Sequence, residues 1–231
     1  MDVSLASLWH NLTDACRLPL ADCVFCDLPL PGKSHTGLSV CKRCLANLPW
    51  VDPQQPGEWG EISALYYRSP VRELLLAAKR GKGLQQLHLL ADLTRFGLQH
   101  RLQKHPLPQA IIPVPLHVSR LRSRGYNQAL ELARPLARAL QRPLLSDAVL
   151  RTHPTRDQKS LSAQARRRNM QQAFRLPAPL PFQHVAIFDD VITTGLTCQA
   201  LREVLLDSGI RRVDIWTCAT TKHDAIPPAM H

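Results

Sequence analysis

Residues 185–197, with the sequence VAIFDDVITTGLT, have the side chains and the spacing of a phosphate-binding turn. The residues that could bind the phosphate are Thr193, Thr194, Gly195 and Thr197. The threonines offer hydroxyls and the backbone offers N–H groups, while a following helix would add the positive end of its dipole. Gly195 would let the backbone approach the ligand closely, because glycine has no Cβ. The segment therefore predicts a phosphate site at the end of a strand.

Two acids, Asp189 and Asp190, stand immediately before this turn. They can accept hydrogen bonds from the vicinal hydroxyls of a ribose and help to hold a hydrated Mg²⁺. A simpler interpretation is that Thr197 only caps a helix and that the aspartates are solvated at a strand end. The complete order of strand, acids, small loop and helix favours the sugar-phosphate site over that interpretation.

Cysteines in the first fifth of the chain form two pairs, Cys23 with Cys26 and Cys41 with Cys44. Two residues separate the members of each pair and fourteen separate the pairs, which is near the spacing of four-thiolate zinc ribbons. The segment has few apolar residues, so Zn²⁺ coordination would supply the stability that a small core cannot. Four thiolates leave no open position, and we therefore predict a structural zinc ion. Unliganded buried thiols are the alternative, and Cys16 either replaces a ligand or stays a free thiol.

Composition is that of a globular protein. The 231 residues are 45% hydrophobic, which suffices for one sizeable core and a small extra module. The N-terminus lacks the pattern of a signal peptide, and no apolar run approaches the ~18 residues of a membrane span. We therefore expect a cytoplasmic protein without a membrane span, in a reducing compartment where paired cysteines favour metal binding.

Positive charge is concentrated in one block. The formal net charge is +11, and residues 117–168 contain eleven Arg and one Lys against three acids, a surplus of nine. A block so rich in arginine predicts a polyanionic ligand, namely phosphates, nucleic acid or both. Arg124, expected on a loop beside a strand end, could make a bidentate phosphate contact, with a solvated surface arginine as the alternative.

Short apolar segments predict the strands of one sheet: ISALYYR at 62–68, AIIPVP at 110–115, VAIF at 185–188 and RRVDIWTC at 211–218. Helical spacing of apolar residues predicts helices over 71–78, 85–102, 129–140 and about 201–205, with a kink or split at Pro135. Strands alternating with helices predict an α/β fold with a parallel sheet flanked by helices. Cys198 and Cys218 are predicted as small core residues.

Breaks in these patterns predict the domains. Residues 1–48 would form a module with a short N-terminal helix over 5–12 and the zinc ribbon. Residues 49–61, rich in proline and glycine, would be a linker. Residues 62–221 would form the α/β domain, and 222–231 a disordered tail.

The segment 185–197 resembles the phosphoribosyl-pyrophosphate signature of type I phosphoribosyltransferases. The cysteine-rich start, PVPLHVSRLRSRGYNQALELA at 113–133, QKSLSAQARRRNMQQAF at 158–174 and FDDVITTGLT at 188–197 together resemble the ComF family. That family includes the DNA-utilisation proteins called GntX. The resemblance covers nearly the whole chain, from Cys23 to about Thr221, and implies a type I phosphoribosyltransferase-like domain behind the zinc ribbon.

The resemblance implies roles for individual residues. Asp189 and Asp190 match the acids that contact the ribose, and residues 193–197 match the cradle of the 5-phosphate. The remaining matches are an RGxNQ segment at the pyrophosphate loop, with Arg120, Arg124, Gly125, Asn127 and Gln128, and an R-x-x-N…F element with Arg166, Asn169 and Phe174. Arg120, Arg124 and Arg166 are therefore predicted to contact phosphate, pyrophosphate or DNA. Residues 79–81 either match a basic-glycine turn of the family or form a helix C-cap.

The resemblance also implies what the protein does. We expect binding of phosphoribosyl pyrophosphate with Mg²⁺ and of single-stranded DNA, in DNA uptake for natural transformation (competence) or in the use of DNA as a nutrient. Proteins of the DNA-uptake machinery are candidate partners. One alternative is an active phosphoribosyltransferase, a pentosyl glycosyltransferase, although no residue is marked as its base and the acceptor is not identified. The other is a transcriptional regulator with the same fold, although no helix-turn-helix signature stands out.

Overall fold

The computed structural model describes residues 22–30, 39–52, 60–79, 83–103, 105–152 and 173–222. The chain divides into two compact units, Met1–Leu48 and Pro49–His231. Several predictions concern residues outside the described ranges: the helix over 5–12, Cys16, Arg166, Asn169 and the tail beyond Lys222. The predicted linker is described only at its two ends, 49–52 and 60–61.

In the first unit, a tight turn and a short helix carry the cysteine pairs. Asp22 and Pro29 form an antiparallel backbone bridge that closes the turn around the first pair. Helix α1, Lys42–Ala46, begins at Cys41, whose sulfur accepts the backbone N–H of Cys44. The second pair therefore occupies the start of a helix, where backbone N–H groups point at the sulfur atoms.

The strands described in the second unit are β1 (Glu61–Tyr66), β2 (Ala110–Pro113), β3 (Leu150–Arg151), β4 (Phe174–Arg175), β5 (His184–Ile192) and β6 (Arg212–Thr220). Strands β1, β6, β5 and β2 form a parallel sheet in that order, and β3 pairs with β4 in a separate antiparallel ribbon. The parallel sheet confirms the predicted fold class. Strands β1, β2 and β6 are almost wholly buried, which explains their continuous apolar runs.

The helices of this unit are α2 (Val71–Ala78), α3 (Leu84–Leu102), α4 (Val118–Arg124), α5 (Gln128–Ala139) and α6 (Leu196–Asp207). Within the described ranges, no helix has the length and the apolar character needed to cross a membrane. Helix α5 continues through Pro135 as a single element, so the predicted split does not occur. Its other residues keep an apolar face buried, which holds the helix together across the missing N–H of the proline.

The sheet has helices on both faces. On one face, Ile112, Ile187 and Ile215 pack with Leu201 and Leu205 of α6. On the other face, α3 lies so close to β1 that a Cβ at Gly97 would be 3.1 Å from the Cβ of Ala64. Helix α5 packs on α3 and on the β2 and β5 strands. The sheet is therefore covered on both sides, and its carboxyl edge is the place where loops and side chains can form a site.

Strand β5 extends four residues beyond the predicted VAIF segment, because it stays paired with β6 as far as Ile192 and Thr220. Asp189 and Asp190 therefore lie inside the strand and not after it. Consecutive residues of a strand point to opposite faces of the sheet, so the two acids have different surroundings.

Candidate functional site

The turn between β5 and α6 has a backbone conformation that favours glycine. Gly195, with φ 74°, is the residue at which α6 begins, and its carbonyl accepts the N–H of Gln199 at 2.9 Å. Thr197 is therefore not the helix cap, and the simpler interpretation of this threonine is wrong. Thr193 and Thr194 are exposed beside the turn. The cap residue offers no side-chain acceptor to the first turn of the helix, which suits an external anion.

Asp189 points towards α6. Its Oδ2 accepts the thiol of Cys198 at 3.6 Å, and its Oδ1 accepts the backbone N–H of Asp190 at 2.8 Å. The residue keeps partial solvent exposure, yet its carboxyl group is closely surrounded by protein. Burial first, and then the charge of Asp190, raise the pKa of Asp189 well above its ordinary value. A carboxylate held in this way gains more from a cation or a hydroxyl donor than a solvated one does.

Asp190 lies beside a lysine. Its Oδ2 is 3.3 Å from Nζ of Lys79, and its Oδ1 accepts the N–H of Val191 at 2.9 Å. Lys79 is also the residue at which α2 ends, with its backbone N–H bonded inside the helix. Lys79 is therefore a helix C-cap, as one of the two interpretations has it, and its ammonium lies beside Asp190. Gly81, the glycine of that predicted turn, lies outside the described residues.

The RGxNQ segment is bonded to the fold through Asn127. This asparagine begins α5, where its Oδ1 accepts the N–H of Ala129 at 3.1 Å. Its Nδ2 donates to the carbonyl of Val114 at 3.0 Å, just after β2. Asn127 thus fixes the start of α5 against the carboxyl end of a strand.

Arg124 is the last residue of α4, so the predicted loop position was wrong. Gly125 ends the helix with φ 85°, a left-handed conformation that glycine adopts at low cost. The Nη1 of Arg124 donates to Oε1 of the buried Gln128 at 2.6 Å. A guanidinium has five donors, so this bond orients Arg124 and leaves it able to contact a phosphate as well.

Helix α4 is the most exposed helix of the described part, since none of its residues is buried. Arg120 and Arg122 are exposed, and so are Val118 and Leu121 at 50% and 41%. A helix without a buried stripe gives no periodic signal in the sequence, which is why it was not predicted. It presents cationic and apolar side chains together to solvent.

Arg151 is a further basic residue near the site, and no sequence motif marks it. It lies on β3, and its guanidinium stacks on the ring of Phe174 in β4 at 5.5 Å from the centroid. Burial first, and then the charge of Arg120, lower the pKa of Arg151, while the charge of Asp189 opposes this. The antiparallel ribbon therefore holds Arg151 within electrostatic reach of both residues. Arg166 and Asn169, the other predicted residues of this region, lie outside the described ranges.

The four cysteine sulfur atoms of the first unit converge. The sulfur atoms of Cys23, Cys26, Cys41 and Cys44 all lie within 4.8 Å of one another, and those of Cys26 and Cys41 are 3.8 Å apart. Zn–S bonds of about 2.3 Å in a tetrahedron give sulfur separations of about 3.8 Å. The residues therefore fit a four-thiolate metal centre and could hold a zinc ion.

Backbone hydrogen bonds make these thiols unequal. Burial of Cys23 opposes its ionisation, but hydrogen bonds from the N–H groups of Cys41, Phe25 and Cys26 outweigh it and lower its pKa to about 6. Burial and the neighbouring thiols raise the pKa of Cys44 to about 12. One thiolate forms readily, and the last forms only if a cation offsets the accumulated negative charge.

Relatives of the chain are known from bacteria. It is 35% identical over 210 residues to the DNA utilization protein YhgH of Escherichia coli O157:H7, covering 90% of this chain and 87% of the relative. The protein of the same name from Salmonella typhimurium is 34% identical over 222 residues, covering 86% and 96%. Competence protein F of Haemophilus influenzae is 34% identical over 185 residues, covering 78% and 77%. No protein-family model matches the chain.

Proposed function

The chain belongs to the ComF family, and from that premise we propose that it binds phosphoribosyl pyrophosphate with Mg²⁺ and contacts single-stranded DNA. The relatives' names, DNA utilization protein and competence protein, support a role in DNA uptake. In that role the protein would act in the cytoplasm with the DNA-uptake machinery, either in competence or in the use of DNA as a nutrient.

The arrangement at the end of β5 is the observation that carries the ligand proposal. Asp189 and Asp190 precede a glycine-started helix by a few residues, at the carboxyl edge of the parallel sheet. The acids suit ribose hydroxyls and the inner hydration shell of Mg²⁺, while the turn at Gly195 suits a phosphate. Acids and phosphate cradle are spaced along one short segment, as they would be for a ribose 5-phosphate.

The pyrophosphate half of the ligand needs cations. Arg120 on α4 and Arg151 on β3 lie close enough for their charges to interact, and Asp189 interacts with Arg151. Two arginines that repel each other beside an acid gain energy when an anion binds between them. This supports a pyrophosphate position between α4 and the β3–β4 ribbon.

Calorimetry of the full-length, zinc-replete protein tests the proposal. Phosphoribosyl pyrophosphate should bind in the presence of Mg²⁺ and bind more weakly after Mg²⁺ is removed. The double variant Asp189→Asn/Asp190→Asn should lose most of this binding. Asp207→Asn is the control for removal of a carboxylate elsewhere, because Asp207 is exposed at the other end of α6. No binding by folded wild-type protein would refute the proposal, and equal binding by the double variant would move the site elsewhere.

The DNA contact would use charge and not base stacking. Aromatic residues make up only 5% of the chain, whereas helix α4 exposes Arg120 and Arg122 to solvent. Contacts to phosphates are independent of sequence and release counterions. We therefore propose that the sugar-phosphate backbone of the DNA contacts α4 and the basic residues that follow it. The zinc ribbon is proposed as a second contact surface.

Zinc is proposed as the resident metal of the four-cysteine centre. Cys23, Cys26, Cys41 and Cys44 supply sulfur alone, which favours Zn²⁺ over the oxygen-binding cations. When bound, the ion would cross-link the two cysteine-bearing segments, and all four positions would be filled by protein. Its role is therefore structural.

Turnover of phosphoribosyl pyrophosphate is the second candidate function. It is favoured by the raised pKa of Asp189, because a carboxyl group whose pKa is raised by burial holds a proton more tightly than an ordinary aspartate and is a stronger base. Release of pyrophosphate in the presence of a panel of bases and nucleic acids is the measurement. Release that needs one acceptor, and that Asp189→Asn abolishes, would establish an enzyme.

A further inference from the structure

Lys222 reaches the phosphate turn from a distant part of the chain. It follows β6 by two residues, and the preceding Thr221 donates its N–H to the carbonyl of Ile192 at 3.0 Å. Its own N–H donates to Oγ1 of Thr220 at 3.1 Å. A Cβ placed on Gly195 would be 3.6 Å from the ammonium nitrogen of Lys222. The end of β6 is therefore fastened to the end of β5, and its lysine lies against the turn.

The turn itself has no positive side chain, since residues 193–197 are Thr-Thr-Gly-Leu-Thr. A phosphate monoester carries nearly two negative charges at neutral pH, and backbone N–H groups and a helix dipole offset only part of them. A lysine ammonium is a compact point charge that binds phosphate oxygens well. The position of Lys222 supplies the charge that the turn lacks.

A buried acid holds this lysine in place. Nζ of Lys222 is 2.9 Å from Oε2 of Glu61 at the start of β1, and their side chains are 21% and 6% exposed. An ammonium has three donors, so it can bind a carboxylate and a phosphate oxygen at the same time. Glu61 thus orients the lysine before any ligand arrives, which lowers the entropic cost of binding.

We propose that Lys222 is a ligand of the phosphate monoester bound at the 193–197 turn, with Glu61 as its buried counter-ion. This rests on the proposed function and adds a residue outside the segment that carries the phosphate signature. It also means that recognition of the 5-phosphate depends on the end of the last strand as well as on β5 and α6.

The test compares molecules that contain different parts of phosphoribosyl pyrophosphate, together with a single-stranded oligonucleotide. Binding of ribose 5-phosphate, phosphoribosyl pyrophosphate and inorganic pyrophosphate with Mg²⁺, and of a single-stranded oligonucleotide, is measured on full-length zinc-replete protein. Lys222→Met should weaken the first two ligands about tenfold or more, the usual scale for one charged hydrogen bond. Pyrophosphate and the oligonucleotide should bind as before, because neither contains a ribose 5-phosphate monoester.

Two further variants guard against a purely structural effect, because Lys222→Met leaves Glu61 buried without its counter-ion. Glu61→Gln breaks the same ion pair but keeps the ammonium, so ribose 5-phosphate should lose clearly less affinity than it does in Lys222→Met. The double variant Glu61→Gln/Lys222→Met removes both charges, and its affinity for ribose 5-phosphate should still be about tenfold lower than that of wild type. Arg212→Met is the matched control, since Arg212 pairs at 2.9 Å with the buried Asp214 at the opposite end of β6.

The outcomes are distinct. If wild-type protein binds neither phosphoribosyl pyrophosphate nor ribose 5-phosphate, the proposed function fails, and this inference fails with it. If wild type binds both and Lys222→Met binds them equally well, only the role of Lys222 is refuted. The same holds if Glu61→Gln loses as much affinity as Lys222→Met, or if Lys222→Met weakens the oligonucleotide instead.

Discussion

Asp189 and Asp190 are neighbours in β5 but lie on opposite faces of the sheet. Asp189 accepts the thiol of Cys198 in α6, and Asp190 pairs with Lys79 at the end of α2. The alternation of side chains along a strand requires this separation. The two acids therefore differ in environment, and substitutions at each should have different consequences.

Asp189→Asn should stabilise the ligand-free protein at neutral pH. The folded-state pKa of Asp189 is raised, mainly by burial, so the contribution of this group to stability is highest below the usual pKa of aspartate and is lost as pH rises through the raised value. Asparagine has no charge to bury, and the variant should gain about 1 kcal/mol or more above that window. Thermal unfolding of wild type and variant across pH gives this difference.

Comparison of the two proteins cancels the acid sensitivity of the zinc centre, which both share. The gain should vanish at acid pH, where the wild-type carboxyl group is protonated. Asp207→Asn is the control, because Asp207 is exposed at the other end of α6 and its replacement should change stability by less than about 0.5 kcal/mol. A gain for Asp189→Asn that is the same at every pH would contradict the assignment.

Gly195→Ala should weaken phosphate binding beyond its effect on stability. With φ 74°, any other residue at this position costs roughly 1–2 kcal/mol of backbone strain. The added Cβ would meet Ile192 at 3.5 Å, an ordinary contact, so the protein should still fold. Ribose 5-phosphate binding, measured by calorimetry, should fall because the turn can no longer keep its conformation close to the ligand.

Gly209→Ala is the matched control for this strain. Gly209 has φ 100° with open space around its missing Cβ, and it lies after the other end of α6. It should lower the unfolding temperature by a similar amount and leave phosphate binding unchanged. Equal loss of binding in both variants would show that Gly195 acts only through overall stability.

The parallel sheet and the four-cysteine cluster could be predicted because each depends on local pattern. Apolar runs such as 185–188 identify buried strands, and the Cys-x₂-Cys spacing fixes which sulfur atoms can converge. The end of β5 was placed too early, because two acids look like the start of a loop. Pairing with β6 as far as Thr220 keeps them in the strand, and no local signal reports that pairing.

The residues that we propose to add to the candidate site could not be predicted for a related reason. Lys222 reaches Glu61 and Gly195, and Arg151 lies near Asp189, through contacts between segments far apart in sequence. A lysine near the end of a chain carries no pattern that distinguishes it from a solvated one. Such contacts depend on the order of the strands in the sheet. The sequence pattern predicts the fold class but not that order.

Cys41→Ser should release the metal from the first unit. We expect about one Zn²⁺ per chain in wild type, because four sulfur atoms lie at distances that suit one tetrahedral ion. The variant loses one ligand, while its hydroxyl oxygen can still accept the N–H of Cys44 at the start of α1. Its zinc content should therefore fall, and the unit should lose the stability that the metal supplies. Metal analysis and thermal unfolding measure the two effects.

Lys42→Ser is the control for this substitution, since Lys42 is exposed and adjacent in the same helix. Its zinc content should equal that of wild type. Full zinc content and unchanged stability in Cys41→Ser would refute the four-cysteine assignment, whatever the effect of the control.

Single-stranded DNA should bind in a salt-sensitive and sequence-independent manner. The surplus of nine positive charges over residues 117–168 can replace counterions on the phosphates. Replacing Arg166, Arg167 and Arg168 by Ala should therefore weaken binding. Within the described part of that block, Arg120→Ala and Arg122→Ala test the exposed face of α4 directly.

Replacing an arginine of α4 that contacts a phosphate should reduce the magnitude of the slope of log affinity against log salt by roughly 0.7 for a single strand. Arg211→Ala is the control, because Arg211 is also exposed but lies before β6, at the amino edge of the sheet. Fluorescence anisotropy of a labelled oligonucleotide at several salt concentrations gives the slopes. A smaller slope in the α4 variants, with the Arg211→Ala slope unchanged, would place DNA at the carboxyl edge, beside the proposed phosphate site. Equal slopes in all variants would show that the arginines of α4 do not contact DNA. Only their proposed role in binding pyrophosphate would then remain.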